Sequence, residues 1–416
     1  MSPPLIPLAD AQRFVFESLA APSPVTMEIN EALGCVIARE IIARESVPGF
    51  INSSMDGFAL RSNDTTSGSS ELDIVDRVLA GDVSQLSLHA GQAMRIMTGA
   101  PLPDGADAVC MIEEAVVNDE RNKVRFSRPI SAGENVRLPG DDVAEGELLF
   151  SPGAELHAPG VAVLAGQGFE SVLAYRRPKV GVLSTGNELT QSLDPLAPGK
   201  IRDTNRPLLL ALLRESGFDS LDLGIIEDTY EGIVRCLRDA AEHCDAVIST
   251  GGVSVGDVDH VKTAIIELGA GRSRSMQVAI RPAKPFAFGV IGTRQVPIFG
   301  LPGNPVSTRV SFELFVRPAL RTLAGHAHIQ RFTTPAVLDV DLSRRSDGKV
   351  HFVHVKAQLL EDGLMHVRTA SRQGSHLLGA VADANAIAIV PDGVSSSIGD
   401  VLQIIVLVAD ELSARP

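Results

Sequence analysis

Residues 179–188 read KVGVLSTGNE, and residues 246–257 repeat the same design as AVISTGGVSVGD. Each segment is an apolar run of the length of a buried strand, followed at once by a Thr-Gly loop that leads to a carboxylate. Ligands bind in α/β sheets at loops that follow the carboxyl ends of strands, where glycines let backbone N–H groups approach a phosphate. The two segments therefore predict a nucleotide or phosphoester site, with a metal held by the carboxylates.

The surrounding pattern places this pair of loops in one α/β domain. Strands and helices alternate from Lys179 to about Gly325, with predicted helices at 207–215, 233–243, 261–268 and 306–316. Such alternation is typical of a doubly wound parallel sheet. The fold class predicted for the whole chain is therefore α/β and multidomain, with this central domain carrying the site.

The flanking regions have other periodicities. Apolar positions recur every three or four residues from Leu8 to Glu45, which predicts helices, and a similar helical pattern returns within 151–175. Turn-rich short strands fill residues 50–150, and period-two alternation follows His328, which predicts a C-terminal β-barrel-like domain. The predicted domains are a discontinuous helical N-terminal domain (1–46 and 147–176), a β-rich inserted domain (47–146), the α/β domain (177–326) and the C-terminal β-domain (327–416).

Composition excludes several classes of protein. A formal charge of −14 argues against a protein that coats nucleic acid or an acidic membrane, because such binding depends on clustered lysine and arginine. The N-terminus has no basic signal region, and the apolar run 401–409 is far too short to span a bilayer. We therefore expect a cytoplasmic protein with no nucleic-acid and no membrane partner.

The cysteines and the HxxH motif do not indicate a metal centre. The spacing of the four cysteines suits neither a zinc site nor a disulfide framework, so buried, reduced thiols are expected at Cys35, Cys110, Cys236 and Cys244. His351 and His354 lie in an alternating run, VHFVHVKA, where residues three apart face opposite sides of a strand. Metal binding by this pair is therefore not expected.

Three carboxylates follow three predicted strands and suit Mg²⁺. Glu188 follows the first Thr-Gly loop, Asp228 follows the run LDLGII, and Asp257 or Asp259 follows the second loop. Mg²⁺ prefers a few carboxylates together with phosphate oxygens and water. The loop residues predicted to approach the phosphate are Thr185, Gly186, Gly251, Gly252, Ser254 and Gly256. A helix-capping Asn187 beside a solvated Glu188 is the alternative interpretation of the first loop alone.

Two further motifs present groups that suit anions. Pro302, Gly303, Asn304 and Pro305 lead into a helix, which is either an ordinary helix start or an exposed N-terminus facing an anion. Arg281 and Lys284 lie in the segment RPAKP, where prolines reduce the entropy lost on fixing the two cations around an oxyanion. Two polar turns, 52–57 and 95–101, are taken alone more typical of loops than of a site.

At this point the motifs match a known family. The chain closely resembles the molybdopterin molybdenumtransferase (MoeA) family, which includes the homologous E domain of gephyrin, from about residue 8 to residue 410. The resemblance rests on SSMDGFA, RIMTGAPLPDGADAV, GENVRLPGDDV, VGVLSTGNEL, GKIRDTN, ISTGGVSVGDVD, RPAKPFAFG and GLPGNPVS in this order. It implies four domains in an elongated homodimer, and Mg²⁺-dependent hydrolysis of adenylylated molybdopterin with insertion of molybdate and release of AMP.

The resemblance also implies roles for individual residues. The family's catalytic positions fall on Asp56, Thr98, Asp142, Glu188, Asp228 and Asp259. Substrate contacts are implied for Asp203 and for the loop prolines Pro302 and Pro305, and molybdate contacts for Arg281, Lys284 and Ser375. Glu188, Asp228 and Asp259 would bind Mg²⁺, while Asp56 and Thr98 would reach the site from the partner subunit.

The chain departs from the family pattern at four positions. Arg281 replaces a lysine, Gln277 replaces a lysine found in some members, Ile51 replaces an acid, and His354 aligns with an arginine. An imidazole with an ordinary pKa near 6.5 would lose its charge between about pH 6 and 8, and molybdate binding would weaken with it. A half-buried strand residue at position 354 is the alternative.

Other functions remain open at the level of sequence. A pterin-binding scaffold or paralogue with impaired metal insertion is the main alternative, motivated by Gln277 and His354. A single-domain molybdopterin adenylyltransferase would share the central fold but not the four domains; such an enzyme is also the expected upstream partner. The sequence does not distinguish molybdate from tungstate.

Overall fold

A computed structural model of the protein describes residues 4–252, 260–269, 271–342, 344, 346–369, 378–394 and 396–412. The chain divides into two compact units. Unit 1 comprises residues 1–38, 152–157 and 171–416, and unit 2 comprises 39–151 and 158–170. The four domain boundaries set out above stay a prediction.

The described helices and strands follow one another in this order. The α-helices are α1 Leu8–Glu17, α2 Ala158–Gly166, α3 Asn205–Glu215, α4 Tyr230–His243, α5 His260–Leu268, α6 Pro305–Ser311, α7 Arg317–Leu323 and α8 Leu378–Ala382. Short 3₁₀-helices cover Ser62–Thr65, Ile112–Glu114, Asp119–Arg121 and Ala409–Glu411, and a π-helical turn, Phe312–Val316, joins α6 to α7. The strands are β1 Val25–Glu28, β2 Val36–Ile37, β3 Ile41–Ile42, β4 Asn52–Ser53, β5 Gly57–Leu60, β6 Ser70–Val78, β7 Gln92–Ile96, β8 Ala108–Met111, β9 Ala115–Asn118, β10 Lys123–Phe126, β11 Val136–Arg137, β12 Leu148–Phe150, β13 Ser171–Tyr175, β14 Lys179–Thr185, β15 Leu189–Thr190, β16 Ile201–Arg202, β17 Asp219–Ile226, β18 Ala246–Thr250, β19 Ser273–Gln277, β20 Ile280–Arg281, β21 Pro285–Ile291, β22 Val296–Leu301, β23 Thr333–Leu338, β24 Val350–Leu359, β25 Met365–Thr369, β26 Ala386–Val390 and β27 Val401–Val406.

The centre of unit 1 is a six-stranded sheet in the order β17-β14-β18-β22-β21-β19. The first four strands of this order are parallel, as predicted, while β21 and β19 extend the sheet in antiparallel fashion. The sheet is therefore mixed rather than wholly parallel, because β21 and β22 are joined by a tight turn and not by a helical crossover.

Alternate residues along these strands supply two separate cores. Val180 and Val182 of β14 pack on one face, in a cluster with α3 and the helices after β22, whereas Leu183 packs on the other face with α4 and α5. Side chains of a strand alternate between its two faces, so a strand buried on both sides carries apolar residues at successive positions. This burial confirms the doubly wound arrangement expected from the sequence.

The C-terminal strands form a closed β-barrel. The order β20-β24-β25-β23-β27-β26 is closed by an additional pairing of β24 with β26, so the five strands β23–β27 form a ring. Apolar side chains such as Val355, Val367 and Ile404 fill it. The barrel-like C-terminal domain predicted by period-two alternation is confirmed.

The helical prediction for Leu8–Glu45 is wrong beyond Glu17. Helix α1 ends there, and β1 and β2 pair with β13 in a three-stranded antiparallel sheet. Strand β1 begins with two β-branched residues, Val25 and Thr26, and such residues favour strands once a partner strand is available. That partner lies about 145 residues away in sequence, so local spacing did not reveal it.

Unit 2 contains a six-stranded sheet in the order β8-β5-β7-β6-β10-β9. Phe58, Leu60, Val124 and Phe126 are buried together in an apolar cluster of this sheet. The β-rich inserted region predicted from regularly spaced turns is therefore observed.

The four cysteines are free thiols, with Cys236 half-buried and the others buried. Burial raises the pKa of each thiol. Within the described residues, no helix combines the length and the hydropathy needed to cross a membrane.

Candidate active site

Four parallel strands bring their carboxyl ends to one edge of the central sheet. Thr185 of β14 pairs with Ile226 of β17, and Thr250 of β18 pairs with both Ser184 and Leu301. The loops that follow these strands carry the sequence-predicted residues Gly186, Glu188, Asp228, Gly251, Gly252, Pro302 and Gly303. Residues far apart in sequence therefore end at one edge of the sheet.

A threonine fixes the orientation of the carboxylate that follows β17. The hydroxyl of Thr185 donates to Asp228 Oδ1 over 3.1 Å. Glu188 is exposed and lies over the α-carbon of Gly186, where a Cβ would meet its two carboxylate oxygens at 2.7 Å. Both carboxylates therefore lie against the loop after β14, and neither is held in a buried ion pair among the described residues.

Gly251 lies in very close contact with the neighbouring strand. Its φ is +89°, and a Cβ at this position would lie 2.4 Å from the carbonyl oxygen of Thr185. A side chain here would require the backbone of one of the two loops to move. The glycine therefore allows the loops after β14 and β18 to lie side by side.

Asn205, at the start of α3, connects two of these loops and was missed by the sequence analysis. Its Nδ2 donates to Thr250 Oγ1 over 2.8 Å and to the carbonyl oxygen of Gly303 over 2.6 Å. Thr308 adds a bond to the carbonyl oxygen of Pro302 over 2.7 Å. The signal available in the sequence was the asparagine of the GKIRDTN motif, just before the predicted helix 207–215.

Asp203 is held in a buried ion pair. Its side chain is 2% exposed, and both of its oxygens accept hydrogen bonds from Arg206, from the backbone nitrogen over 3.2 Å and from Nε over 3.0 Å. Arg206 also contacts Asp222. The structure therefore gives Asp203 a partner that fixes the start of α3, and direct substrate contact by Asp203 stays a prediction.

The segment after β22 turns directly into α6. Asn304 precedes the helix and Pro305 occupies its first turn, as the start signals in the sequence indicated. The helical stretch expected to reach residue 316 continues as a π-helical turn and then as α7. Pro302 and Gly303 are thereby held between Asn205, Thr250 and the helix.

The oxygen donors at this edge fit Mg²⁺ better than a softer metal. The side chains are two carboxylates, Glu188 and Asp228, and a hydroxyl, with no described sulfur or imidazole among them. Within the described part of the chain, no three His, Cys, Asp or Glu side chains converge closely enough to bind a metal by themselves. The third predicted ligand, Asp259 or Asp257, lies outside the described residues, as do Ser254, Gly256 and Ser375.

The RPAKP segment is tightly constrained. The backbone nitrogen of Val278 donates to the carbonyl oxygen of Lys284 over 2.8 Å, and Ile6 forms a β-bridge with Val278. Ala283 has φ +72°, a left-handed conformation that is uncommon for a residue other than glycine. Such strain is often found at functional sites. Arg281, on β20, is added to the edge of β24 in the barrel.

His354 does not provide the partly charged imidazole that the alignment suggested. It lies within β24, is 7% exposed, and its pKa is lowered to about 4 by burial and, secondarily, by Arg309. Desolvation disfavours the charged form, so the imidazole is neutral at physiological pH. The expected weakening of molybdate binding from pH 6 to 8 therefore has no basis in this residue, and the alternative of a strand residue is the correct one.

Unit 2 joins its two polar turns by hydrogen bonds. The backbone nitrogen of Ser53 donates to the carbonyl oxygen of Ala100 over 3.0 Å, and Thr98 donates to Asp56 Oδ1 from its backbone nitrogen and its hydroxyl, each over 2.7 Å. These donors, the backbone N–H first, lower the pKa of Asp56. Asp56 and Thr98 are both exposed, so an ionised carboxylate and a threonine that donates to it lie together at the surface of unit 2. Asp142 is also exposed.

Family profiles match nearly the whole chain. Residues 6–168 match the MoeA N-terminal region (domain I and II), residues 181–322 match a probable molybdopterin binding domain, and residues 336–407 match the MoeA C-terminal region (domain IV). The order of the three matches follows the order of the structural regions described above.

Curated relatives and a solved structure agree with these profiles. The chain is 34% identical to a molybdopterin molybdenumtransferase of Haemophilus influenzae over 92% of this chain and 93% of that protein. It is 35% identical to the enzyme of the same name from Bacillus subtilis, over 93% of this chain and 90% of the relative. A molybdopterin biosynthesis MoeA protein from Pyrococcus horikoshii OT3 shares the fold with a TM-score of 0.79 and 27% identity, over 97% of this chain and all of that one. The chain therefore belongs to the molybdopterin molybdenumtransferase (MoeA) family of transferases, which act in molybdenum cofactor biosynthesis.

Proposed function

We propose that this protein catalyses the Mg²⁺-dependent hydrolysis of adenylylated molybdopterin, inserts molybdate into the pterin dithiolene and releases AMP. The observation that carries the proposal is the meeting of Asp228, Thr185, Gly251 and Gly303 at the carboxyl edge of four parallel strands. Ligands bind at this edge in open α/β sheets. The phosphates of the substrate would lie against these loops.

Positioning and charge neutralisation account for the chemistry. Bound at Glu188, Asp228 and Asp259, Mg²⁺ would neutralise charge on the phosphoanhydride. Thr185 orients Asp228 by donating to its Oδ1, and the second oxygen of this carboxylate would face the ligand. Asn205 holds the loops after β18 and β22 in register, so their backbone groups are positioned before the substrate binds.

The oxyanion and the second subunit complete the proposal. Arg281, Lys284 and Ser375 would bind molybdate, and Asp56, Thr98 and Asp142 would act on the substrate across a homodimer. An upstream molybdopterin adenylyltransferase would deliver the substrate. We place the reaction in the cytoplasm, because four unpaired thiols suit a reducing compartment.

AMP release tests this function directly. Purified protein is mixed with adenylylated molybdopterin, Mg²⁺ and molybdate, and AMP is followed together with activation of an apo-molybdoenzyme. We expect Asp228→Asn to lower AMP release by about a hundredfold or more, because the amide keeps the bond from Thr185 but loses the charge that anchors Mg²⁺. Asp239→Asn, on the exposed face of α4, is the matched control and keeps wild-type activity.

Two outcomes would contradict parts of the proposal. Wild-type turnover in Asp228→Asn would remove this residue from the site. If the wild type binds the pterin but releases no AMP, a pterin-binding scaffold is the better interpretation. Neutral His354 supports this candidate, because the resemblance implies an arginine at that position.

A further inference from the structure

Within the described residues, three basic side chains share one carboxylate where β20 joins the barrel. Asp347 Oδ2 lies 2.9 Å from Lys349 Nζ, and Asp347 Oδ1 lies 3.1 Å from His351 Nε2. The parallel pairing of β20 with β24 places Arg281 beside His351, and its Nη1 is 3.8 Å from Asp347 Oδ2. The RPAKP segment is thus adjacent to a charged cluster that its own sequence does not contain.

Arg281 is the member of the cluster that faces solvent. Its side chain is 70% exposed, whereas Lys349 is 20% and His351 10% exposed. The 3.8 Å separation from Asp347 exceeds hydrogen-bond distance, and a guanidinium carries five N–H donors. Arg281 therefore interacts electrostatically with the carboxylate of Asp347 and retains N–H donors for a second anion.

The position of Asp347 is fixed by a turn. The carboxylate of Asp392 accepts hydrogen bonds from the backbone nitrogen of Asp347 over 2.9 Å, from that of Gly348 over 3.1 Å, and from the hydroxyl of Ser346 over 2.8 Å. Hydrogen bonds from Lys349, and then from His351, lower the pKa of Asp347 to about 2. The carboxylate is therefore held in place and ionised.

We propose that Asp347 is an internal counter-ion of the oxyanion subsite, and that a tetrahedral dianion such as molybdate competes with it for Arg281. The inference rests on the proposed function, in which Arg281 binds molybdate, and adds Asp347, Lys349 and His351 as the groups that set affinity. Lys349 and His351 hold the carboxylate away from Arg281. Asp347 repels an incoming dianion and lowers its affinity, so the anion can be released to the pterin.

Molybdate binding by the full chain, measured by equilibrium dialysis without pterin, tests the proposal. We expect Asp347→Asn to lower the Kd for molybdate about three- to tenfold, because one nearby negative charge is worth on the order of 1 kcal/mol in a hydrated setting. Glu361→Gln removes an exposed charge from the turn after β24 and serves as the control, with no change in Kd.

A second variant covers the case in which Asp347→Asn does not fold. Lys349→Gln frees Asp347 to pair with Arg281, so molybdate binding should weaken by a similar factor. The proposal would be overturned by an unchanged or higher Kd for molybdate in folded Asp347→Asn, or by an equal fall in Kd in Glu361→Gln. An unchanged Kd in Lys349→Gln would also overturn it, as would the absence of molybdate binding by every variant.

AMP release separates this inference from the proposed function. If the Kd for molybdate shifts as expected but the protein releases no AMP from adenylylated molybdopterin, the role of Asp347 in the subsite is supported and the proposed function fails. AMP release with no shift in Kd would leave the function standing and overturn the role of Asp347.

Discussion

The imidazoles of His326 and His354 are both largely removed from solvent. Burial lowers the pKa of each to about 4, with smaller effects from nearby arginines. An unfolded histidine titrates near pH 6.5, so the unfolded state binds more protons as the pH falls below that value. The free energy of unfolding therefore decreases as the pH falls from about 6.5 to 4, and these two histidines do not change it between pH 7 and 8.

We expect His354→Leu to remove part of this acid sensitivity. Between pH 7.5 and 5, a histidine whose pKa falls from about 6.5 to about 4 on folding costs at most about 2 kcal/mol of stability. Urea unfolding at the two pH values would show a smaller difference for His354→Leu than for the wild type. The exposed His89, changed to leucine, should leave the difference unchanged. Equal pH dependence in wild type and His354→Leu would contradict the buried neutral state.

At the scale of elements, the helical stretch Pro305–Leu323 stands out for its buried charges. Glu313 lies in the π-helical turn with 1% side-chain exposure, and its Oε2 accepts from Arg331 Nε over 2.7 Å. Arg309 Nε lies 3.4 Å from the other oxygen, and burial lowers the pKa of Arg309. One buried carboxylate therefore compensates two guanidinium groups.

We expect Glu313→Gln to lower the free energy of unfolding by about 3–5 kcal/mol, because it removes the carboxylate that pairs with buried Arg309 and half-buried Arg331. Asp10→Asn is the control, since it breaks only the exposed pair with Arg13 and should cost less than about 1 kcal/mol. Urea denaturation gives both values. Similar, small losses in the two variants would show that the buried network contributes little.

At the scale of the whole molecule, the side chains implied in one reaction are divided between the two compact units. Asp56 and Thr98 belong to unit 2, while Glu188 and Asp228 belong to unit 1. The proposed homodimer would combine them across subunits, and closed twofold symmetry would then produce two identical shared sites.

Mixed dimers test this sharing. An Asp56→Asn subunit paired with an Asp228→Asn subunit should recover about half of the wild-type AMP release, because one of the two symmetric sites keeps both acids. A dimer of the wild type with a subunit that carries both changes should be inactive, since each shared site then lacks one acid. Half-activity in this second dimer would show that each subunit works alone.

Local patterns predicted the strands and loops of the site well. Lys179–Thr185 and Ala246–Thr250 are strands as expected, since short apolar runs before glycine-rich turns have few alternatives. The burial of His354 was not predictable, because strand alternation separates two faces without showing which one another element covers. The cluster around Asp347 depends on pairing between residues 281 and 351, and no local signal reveals such a contact. The same holds for β1, whose partner is β13.

The pairing of β20 with β24 also limits how this architecture can be recombined. Ile280 and Arg281 belong to the α/β segment in sequence, yet they provide an edge strand of the barrel sheet. A chimera that exchanges only the segment after residue 327 between homologues would place β20 of one parent against β24 of another. A chimera should keep the fold best when residues 280–281 come from the same parent as the barrel. The segment to exchange between homologues is therefore larger than the barrel itself.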